Sequence, residues 1–363
     1  MSHNILITGG TGYLGGSLLA DLTTANLPPY AHLFALVRNP SQATAMETHY
    51  PNVIPLTIDL TSPASITTTI VSHNITIIYH LIDARDTNTP TYFIRGLAAV
   101  QKSTGIQTHF LFTTGAKLFS SHAGAPSTDP LPDSSPDMYD LQKRLTTSAP
   151  LELARQGTLA NTLVVDEASQ LGVRAYIFAP CIVYGAGRGA FGNRISIQTV
   201  AVVKAAKALG KVVDVNVPGT ESSWPVCHID DNTALYVAIL RAALEGRDDV
   251  PFGKDGWYLA SSGSVAWKQF YEGVAKPMKK MGVVESEQVE RWDGDEEALR
   301  GMWGAWGHPG EPTLELVRMV IGGECSMTAE NGRKIGWKPQ YAPEHILETV
   351  DEEVSWILEN LES

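Results

Sequence analysis

The sequence predicts an α/β fold: a doubly wound parallel sheet with a smaller, mixed C-terminal portion. Three observations lead to it. Residues 4–15 read NILITGGTGYLG, an apolar run that passes through a glycine-rich turn into a helical pattern. Strand-like and helix-like runs then alternate through the first half, the pattern of a parallel sheet with helices on both faces. The second half changes character, with helices between short strands and an acidic, then Trp- and Gly-rich stretch at 283–310. The expected division is residues 1–185 for the sheet-forming domain, completed by strands from later in the chain. Residues 186–363 would form mainly a portion folded over the sheet's carboxyl edge, where open α/β sheets bind ligands.

Asn4–Thr8 is the first buried strand. Gly9, Gly12 and Gly15 follow in G-x-x-G-x-x-G spacing; Leu14, Leu18 and Leu22 then recur at helical intervals with Leu19 beside them. Strand, glycine turn and helix in this order are the context a dinucleotide fingerprint requires. Gly9 and Gly12 let the backbone turn tightly and approach a pyrophosphate, and Gly15 lets helix and strand pack closely. The helix N-terminus offers unpaired N–H groups and a positive dipole end to the phosphates. The competing reading is a tight turn with no ligand.

Further strands are expected at His32–Val37, Val53–Ile58, Ile75–Leu81, His109–Thr113 and Val173–Phe178. Helices are expected at Ser62–Val71, Tyr92–Ser103 and 161–171, the last ended by Gly172. Residues 120–137, rich in Ser, Pro, Asp and Gly, read as a loop. Beyond them come helices near 195–209 and 231–244 and strands at Lys211–Val217 and Gly256–Ala260. The closing helix is amphipathic, with Leu347, Val350, Val354, Ile357 and Leu361 on one stripe.

Composition narrows the partners. The formal net charge is −12 and no block of Lys or Arg stands out, which argues against nucleic acid or an anionic membrane as the main partner. No apolar run approaches the roughly 20 residues that span a bilayer. Cys181, Cys227 and Cys325 are scattered without metal-ligand spacing, so neither a disulfide framework nor a metal site is expected. With no leader pattern before the first strand, a cytoplasmic protein is the expectation.

The chain resembles the extended short-chain dehydrogenase/reductases, the NAD(P)-dependent epimerase/dehydratase group. TGGTGYLG (8–15) is similar to that family's cofactor loop, which assigns Gly9, Thr11, Gly12, Tyr13, Leu14 and Gly15 to cofactor binding. Ile58-Asp59-Leu60 resembles the third-strand end, where Asp59 and Leu60 would approach the adenine. YHLIDA (79–84) looks like the fourth-strand end, placing Leu81 and Ile82 along the cofactor. PCIVYGAG (180–187) looks like the segment beside the nicotinamide, which implicates Pro180, Ile182 and Val183. VCHIDD (226–231) and GRKIGWKP (332–339) resemble two later family segments. His228–Asp231 reads as a helix start, with Asp230 or Asp231 as N-cap. The resemblance implies a Rossmann-type domain; family members are often homodimers.

The second strand ends in Arg38 rather than an acid. A guanidinium suits a ribose 2′-phosphate, so NADP(H) is the expected cofactor. The alternative is a solvated strand-end charge. The family's proton chemistry uses a Tyr-x-x-x-Lys pair on a helix, where residues i and i+4 share a face and the ammonium lowers the phenol pKa. Tyr139 and Lys143 have that spacing, Lys143 also reaching the nicotinamide ribose. Thr113 and Thr114 stand at the end of the fifth strand, with Thr114 as the hydroxyl that orients the substrate oxygen. Pro150 and Gly157 would break a continuous helix between Lys143 and the sixth strand. The helix that ordinarily carries the pair could therefore be 161–171, which has neither Tyr nor Lys; Tyr184 and Lys117 are then the fallback acid/base groups. Trp224 occupies the place where members acting on nucleotide sugars typically have an Arg. With Tyr184 and Trp303 it suggests a small, partly apolar carbonyl substrate. The function expected is an NADPH-dependent ketone or aldehyde reductase. The alternatives are a cofactor-retaining epimerase or dehydratase, or a non-catalytic NADP(H)-sensing regulator of the NmrA-like kind.

Overall fold

The computed structural model describes residues 2–361 apart from 218 and 220. The first half runs β1 (Asn4–Ile7), α1 (Tyr13–Leu22), β2 (His32–Leu36), α2 (Pro40–His49), β3 (Val53–Leu56), α3 (Pro63–Ser72), β4 (Ile77–His80), α4 (Asn88–Thr104) and β5 (His109–Thr113). Next come a short β6 (Leu131–Pro132), α5 (Met138–Ser148), α6 (Glu152–Leu171), β7 (Arg174–Pro180) and β8 (Ile182–Tyr184). The second half adds α7 (Gln198–Leu209), β9 (Val213–Asp214), β10 (Ser223–His228), α8 (Ile229–Leu244), β11 (Trp257–Ala260), β12 (Gly263–Ala266) and α9 (Trp267–Lys280). It closes with β13 (Glu290–Arg291), α10 (Glu296–Ala305), α11 (Leu314–Ile321), β14 (Met327–Thr328), α12 (Asn331–Lys334), α13 (His345–Glu348) and α14 (Val350–Asn360).

Seven strands form one sheet in the order β11-β7-β5-β4-β1-β2-β3, every neighbouring pair parallel. The order reverses between β1 and β4, which opens a crevice at their carboxyl ends. The central strands β4 and β5 are buried throughout, as a sheet covered on both faces requires. β11 comes from the second half and supplies the edge beside β7. A smaller sheet, β12-β10-β8, stands beyond the carboxyl edge. No helix among the described residues is long and apolar enough to cross a membrane. All three cysteines are free and buried.

Several elements differ from the sequence expectation, each for a physical reason. The helix expected at 161–171 begins at Glu152. Gly157 does not break it, because its missing side chain leaves room for Leu118, whose Cδ1 a Cβ would meet at 2.5 Å. Pro150 does separate it from α5. The strand expected over 211–217 is only the two residues of β9. The 120–137 loop contains a 3-10 turn at Ser121–Ala123 and β6, which pairs with β14.

Neither Asp230 nor Asp231 caps α8. The cap is His228, whose Nδ1 accepts the Asp230 N–H at 3.3 Å. Asp231 is buried and its carboxylate accepts the N–H groups of Gln340 and Tyr341 at 2.8 and 3.0 Å, while the Trp337 indole donates to its carbonyl at 2.9 Å. The VCHIDD and GRKIGWKP segments therefore hold each other. Replacing Asp231 with Ala leaves two part-buried N–H groups without their acceptor, an expected loss of about 1 kcal/mol. A lowered urea midpoint with an unchanged slope would record it; a midpoint equal to that of the wild type would show that the clasp carries no stability.

Candidate active site

The glycine turn is built by close backbone approach. Gly9 has φ +72°, and a Cβ on it would lie 2.8 Å from the Leu81 carbonyl oxygen. A Cβ on Gly15 would overlap the Gly9 carbonyl. These contacts seat α1 on β1 and point its first turn along the crevice. Gly12, the N-cap, has no side chain with which to satisfy the first N–H groups, so they remain available to an anion. Thr8 ties the turn to the next strand by accepting the Leu81 N–H at 2.9 Å. This cradle, with Leu14 beside it, fits the pyrophosphate of a dinucleotide.

Other residues expected to bind cofactor stand at or just past the carboxyl ends of β2, β3, β4 and β5. Arg38 is exposed at the end of β2, its N–H donating to Gln42 Oε1 at 2.9 Å. Asp59 is exposed; its carboxylate accepts the Thr61 hydroxyl at 2.6 Å and N–H at 2.9 Å, which hold its pKa below the usual range. Leu60 follows it and Ile82 follows Leu81, both half-buried. Thr113 faces the core, where its hydroxyl meets that of Tyr236 at 2.8 Å.

A cavity of about 210 Å³ opens at the carboxyl edge. Tyr13 and Leu14 from the glycine turn, Thr114 and Lys117 after β5, Pro180 and Val183 from β7 and β8, and Trp224 from β10 line it. Ile182, next to Val183, is fully buried on the other side of its strand. The Thr114 N–H is fixed by the Phe178 carbonyl at 2.8 Å, and its buried hydroxyl has no hydrogen-bond partner. Lys117 is half-buried against the cavity space. Desolvation, with no carboxylate opposing it, pushes its pKa down to about 8. Its titratable neighbour His122 is desolvated too, and its pKa is lowered to about 4.

Tyr139 and Lys143 do not reach this cavity. The helix that leads into β7 is α6; α5 is an additional helix packed on it. Tyr139 donates to Asp166 Oδ1 at 2.5 Å and Lys143 to Oδ2 at 2.8 Å. Asp166 lies nine residues beyond Gly157 on α6, about 13 Å along the axis from the turn that carries Lys117. Burial first, and then the bond to Asp166, push the Tyr139 phenol up, away from the range a proton donor needs. Of the three residues between them, Gln142 points inward, toward the turn after β5. Gln142 is fully buried, donates to the Leu118 carbonyl at 2.8 Å and accepts from Asn161 at 2.9 Å. It braces the 3-10 turn (Ala116–Phe119) behind Lys117. A buried glutamine inside a Tyr-x-x-x-Lys spacing was the only trace of this in the sequence.

The substrate candidates separate in the same way. Trp224, 2% exposed, is a wall of the cavity. Tyr184 turns from it and meets His345 Nδ1 at 3.0 Å. Trp303 donates to the Pro309 carbonyl at 3.1 Å and meets Trp306 edge to face, while Trp306 donates to the Ala201 carbonyl at 2.8 Å. Trp306 thus ties the end of α10 to α7, and neither indole lines the cavity.

A loop unforeseen in the sequence lies over the first βαβ unit. Its neck is closed by the Gly187 N–H donating to the Arg194 carbonyl at 2.8 Å. At its tip Gly189 rests on Gly16, Arg188 N–H donates to Ser17 at 3.0 Å, and Asn193 N–H to the Thr11 carbonyl at 3.0 Å.

Residues 5–251 match the NAD dependent epimerase/dehydratase family. The chain belongs to that family. Solved structures with a similar fold include UDP-glucose 4-epimerase from Thermotoga maritima, determined with UDP-glucose, at 13% identity, TM-score 0.59 and 99% coverage of both chains. The dTDP-glucose 4,6-dehydratase of Bacillus anthracis, in complex with NAD, is similar at 13% identity and TM-score 0.58, covering 99% of this chain and 98% of that one. Vestitone reductase from alfalfa is similar at 16% identity and TM-score 0.56, with 99% of both chains covered. No curated protein sequence matches this one. The family is NAD(P)-dependent, which agrees with the glycine cradle. A Gly15→Ala variant must push that cradle apart. The expected outcome is dinucleotide binding weakened at least tenfold in calorimetry; affinity equal to that of the wild type would show that the close approach is not needed.

Proposed function

We propose that this epimerase/dehydratase family member is an NADPH-dependent reductase of a small, partly apolar carbonyl compound. The observation that carries the reading is the pairing of Thr114 and Lys117 in an otherwise largely apolar cavity beside the glycine turn. A nicotinamide dinucleotide bound along the crevice would supply hydride to a carbonyl carbon. The Thr114 hydroxyl, left without a partner, donates a hydrogen bond to the carbonyl oxygen and orients it. The Lys117 ammonium gives the proton that oxygen needs as it becomes a hydroxyl. Trp224 excludes water and packs against the apolar part of the substrate. Arg38 at the end of β2 supports NADPH over NADH.

A second reading has its own observation. The loop clasped on Gly16, Ser17 and Thr11 favours slow exchange of a bound dinucleotide, as suits an epimerase or dehydratase that restores its cofactor in each cycle. Oxidised dinucleotide released on denaturing the purified protein, with no net NADPH consumption, would favour it.

The reductase reading predicts that Lys117→Met lowers NADPH turnover with a carbonyl substrate by about 100-fold or more while NADPH still binds. Tyr139→Phe is expected to keep turnover within about threefold of wild type, because its hydroxyl is engaged with Asp166. Equal losses in both variants would return the role to the Tyr139 pair. A proton donor must be protonated, so turnover should hold below pH 8 and fall as pH rises through the Lys117 pKa of about 8. A profile flat from pH 7 to about 9.5 would remove Lys117 as the acid.

A further inference from the structure

The loop 188–193 carries or adjoins two arginines that are used differently. Arg188 is paired with Asp21 at 2.8 Å and Asp230 at 3.1 Å, which fastens the loop to α1 and α8. Arg194, at the neck, donates through Nε to the Gly187 carbonyl at 2.8 Å and lies over the Trp356 ring, 5.0 Å from its centroid. Among the described residues its guanidinium has no carboxylate partner, and neither has that of Arg38. Both line one cavity of about 640 Å³, together with Thr11, Gln42 and Asn193. None of the described residues lining it is acidic. In a chain of net charge −12, two unpaired guanidiniums facing one space call for an anion.

We infer that Arg194 is the second cation of a phosphomonoester site in this cavity, where with Arg38 it grips the 2′-phosphate of an NADP-type dinucleotide. The inference rests on the NADPH reading above and adds the residue that makes it selective. A 2′-phosphate carries close to two negative charges, and one exposed guanidinium neutralises only part of them. Arg38 comes from the sheet and Arg194 from the loop, so the phosphate would be held from two sides. The Nε bond and the Trp356 ring fix the plane of the Arg194 fork, so little side-chain freedom is lost when it binds. Thr11 joins the two walls: it belongs to the glycine turn, and its carbonyl accepts the Asn193 N–H.

Calorimetry with NADPH, NADH, 2′,5′-ADP and inorganic phosphate, on wild type, Arg194→Gln and Arg194→Lys, tests this. Wild type is expected to prefer NADPH over NADH at least tenfold. Arg194→Gln should weaken NADPH and 2′,5′-ADP tenfold, which is about 1.4 kcal/mol, and leave NADH unchanged. Arg194→Lys, which keeps the charge, should retain part of the preference. A preference undiminished in Arg194→Gln overturns the inference while the NADPH reading stands. An equal loss for NADH and NADPH also overturns it, since Arg194 would then only hold the loop. A wild type that does not discriminate overturns the NADPH reading itself. Inorganic phosphate binding as tightly as 2′,5′-ADP overturns the nucleotide assignment.

Discussion

The contact between Gly15 and the carbonyl of Gly9 governs the architecture around it. It lets α1 start directly above β1 at the point where the strand order reverses. Because α1 is seated so closely, Gly16 and Ser17 on its outer side present a surface small enough for the loop at Gly189 to lie on. Tyr13, the first residue of the helix, reaches across to the Gly185 carbonyl at 2.7 Å and joins the turn to the end of β8. Sheet edge, cavity wall and loop thus share one origin in the absence of two methyl groups.

The second constraint comes from the helix pair α5–α6. Inserting α5 places a Tyr-x-x-x-Lys face on the outer layer, where a single carboxylate, Asp166, ties up both groups. The same helix turns Gln142 inward, and this buried amide, shared between Leu118 and Asn161, holds the turn after β5 in place. On the proposed reading, the proton chemistry would then sit on that turn instead of on a helix. A lysine ammonium there needs no neighbour to tune it, because desolvation alone lowers its pKa to about 8.

The parallel sheet was readable because the residues that determine it are local. The β1 run, the glycine spacing and buried runs such as Phe110–Phe112 each carry their signal within a few positions. Short elements were less readable. β9 is two residues long, and α8 is capped by His228, a residue with no marked capping preference. At the site, Thr114, Pro180, Val183 and Trp224 line one cavity. Tyr139, Tyr184 and Trp303 stand apart from it, because what directs them is a distant partner: Asp166, His345 and Pro309. Spacing along a chain says which residues share a helix face. It does not say which layer that helix occupies.

The large cavity beside the glycine turn draws its walls from positions 11, 38, 194 and 360. Such a space does not exist in a nascent chain when its first βαβ unit emerges, although that unit already contains the glycine turn. Its loop comes from residues 188–194, long after that unit, and its far wall only from the end of α14. The space proposed for the nucleotide is therefore begun at Thr11 and closed only by Asn360, and a ligand gripped there would stabilise only a chain in which both ends of that span are folded.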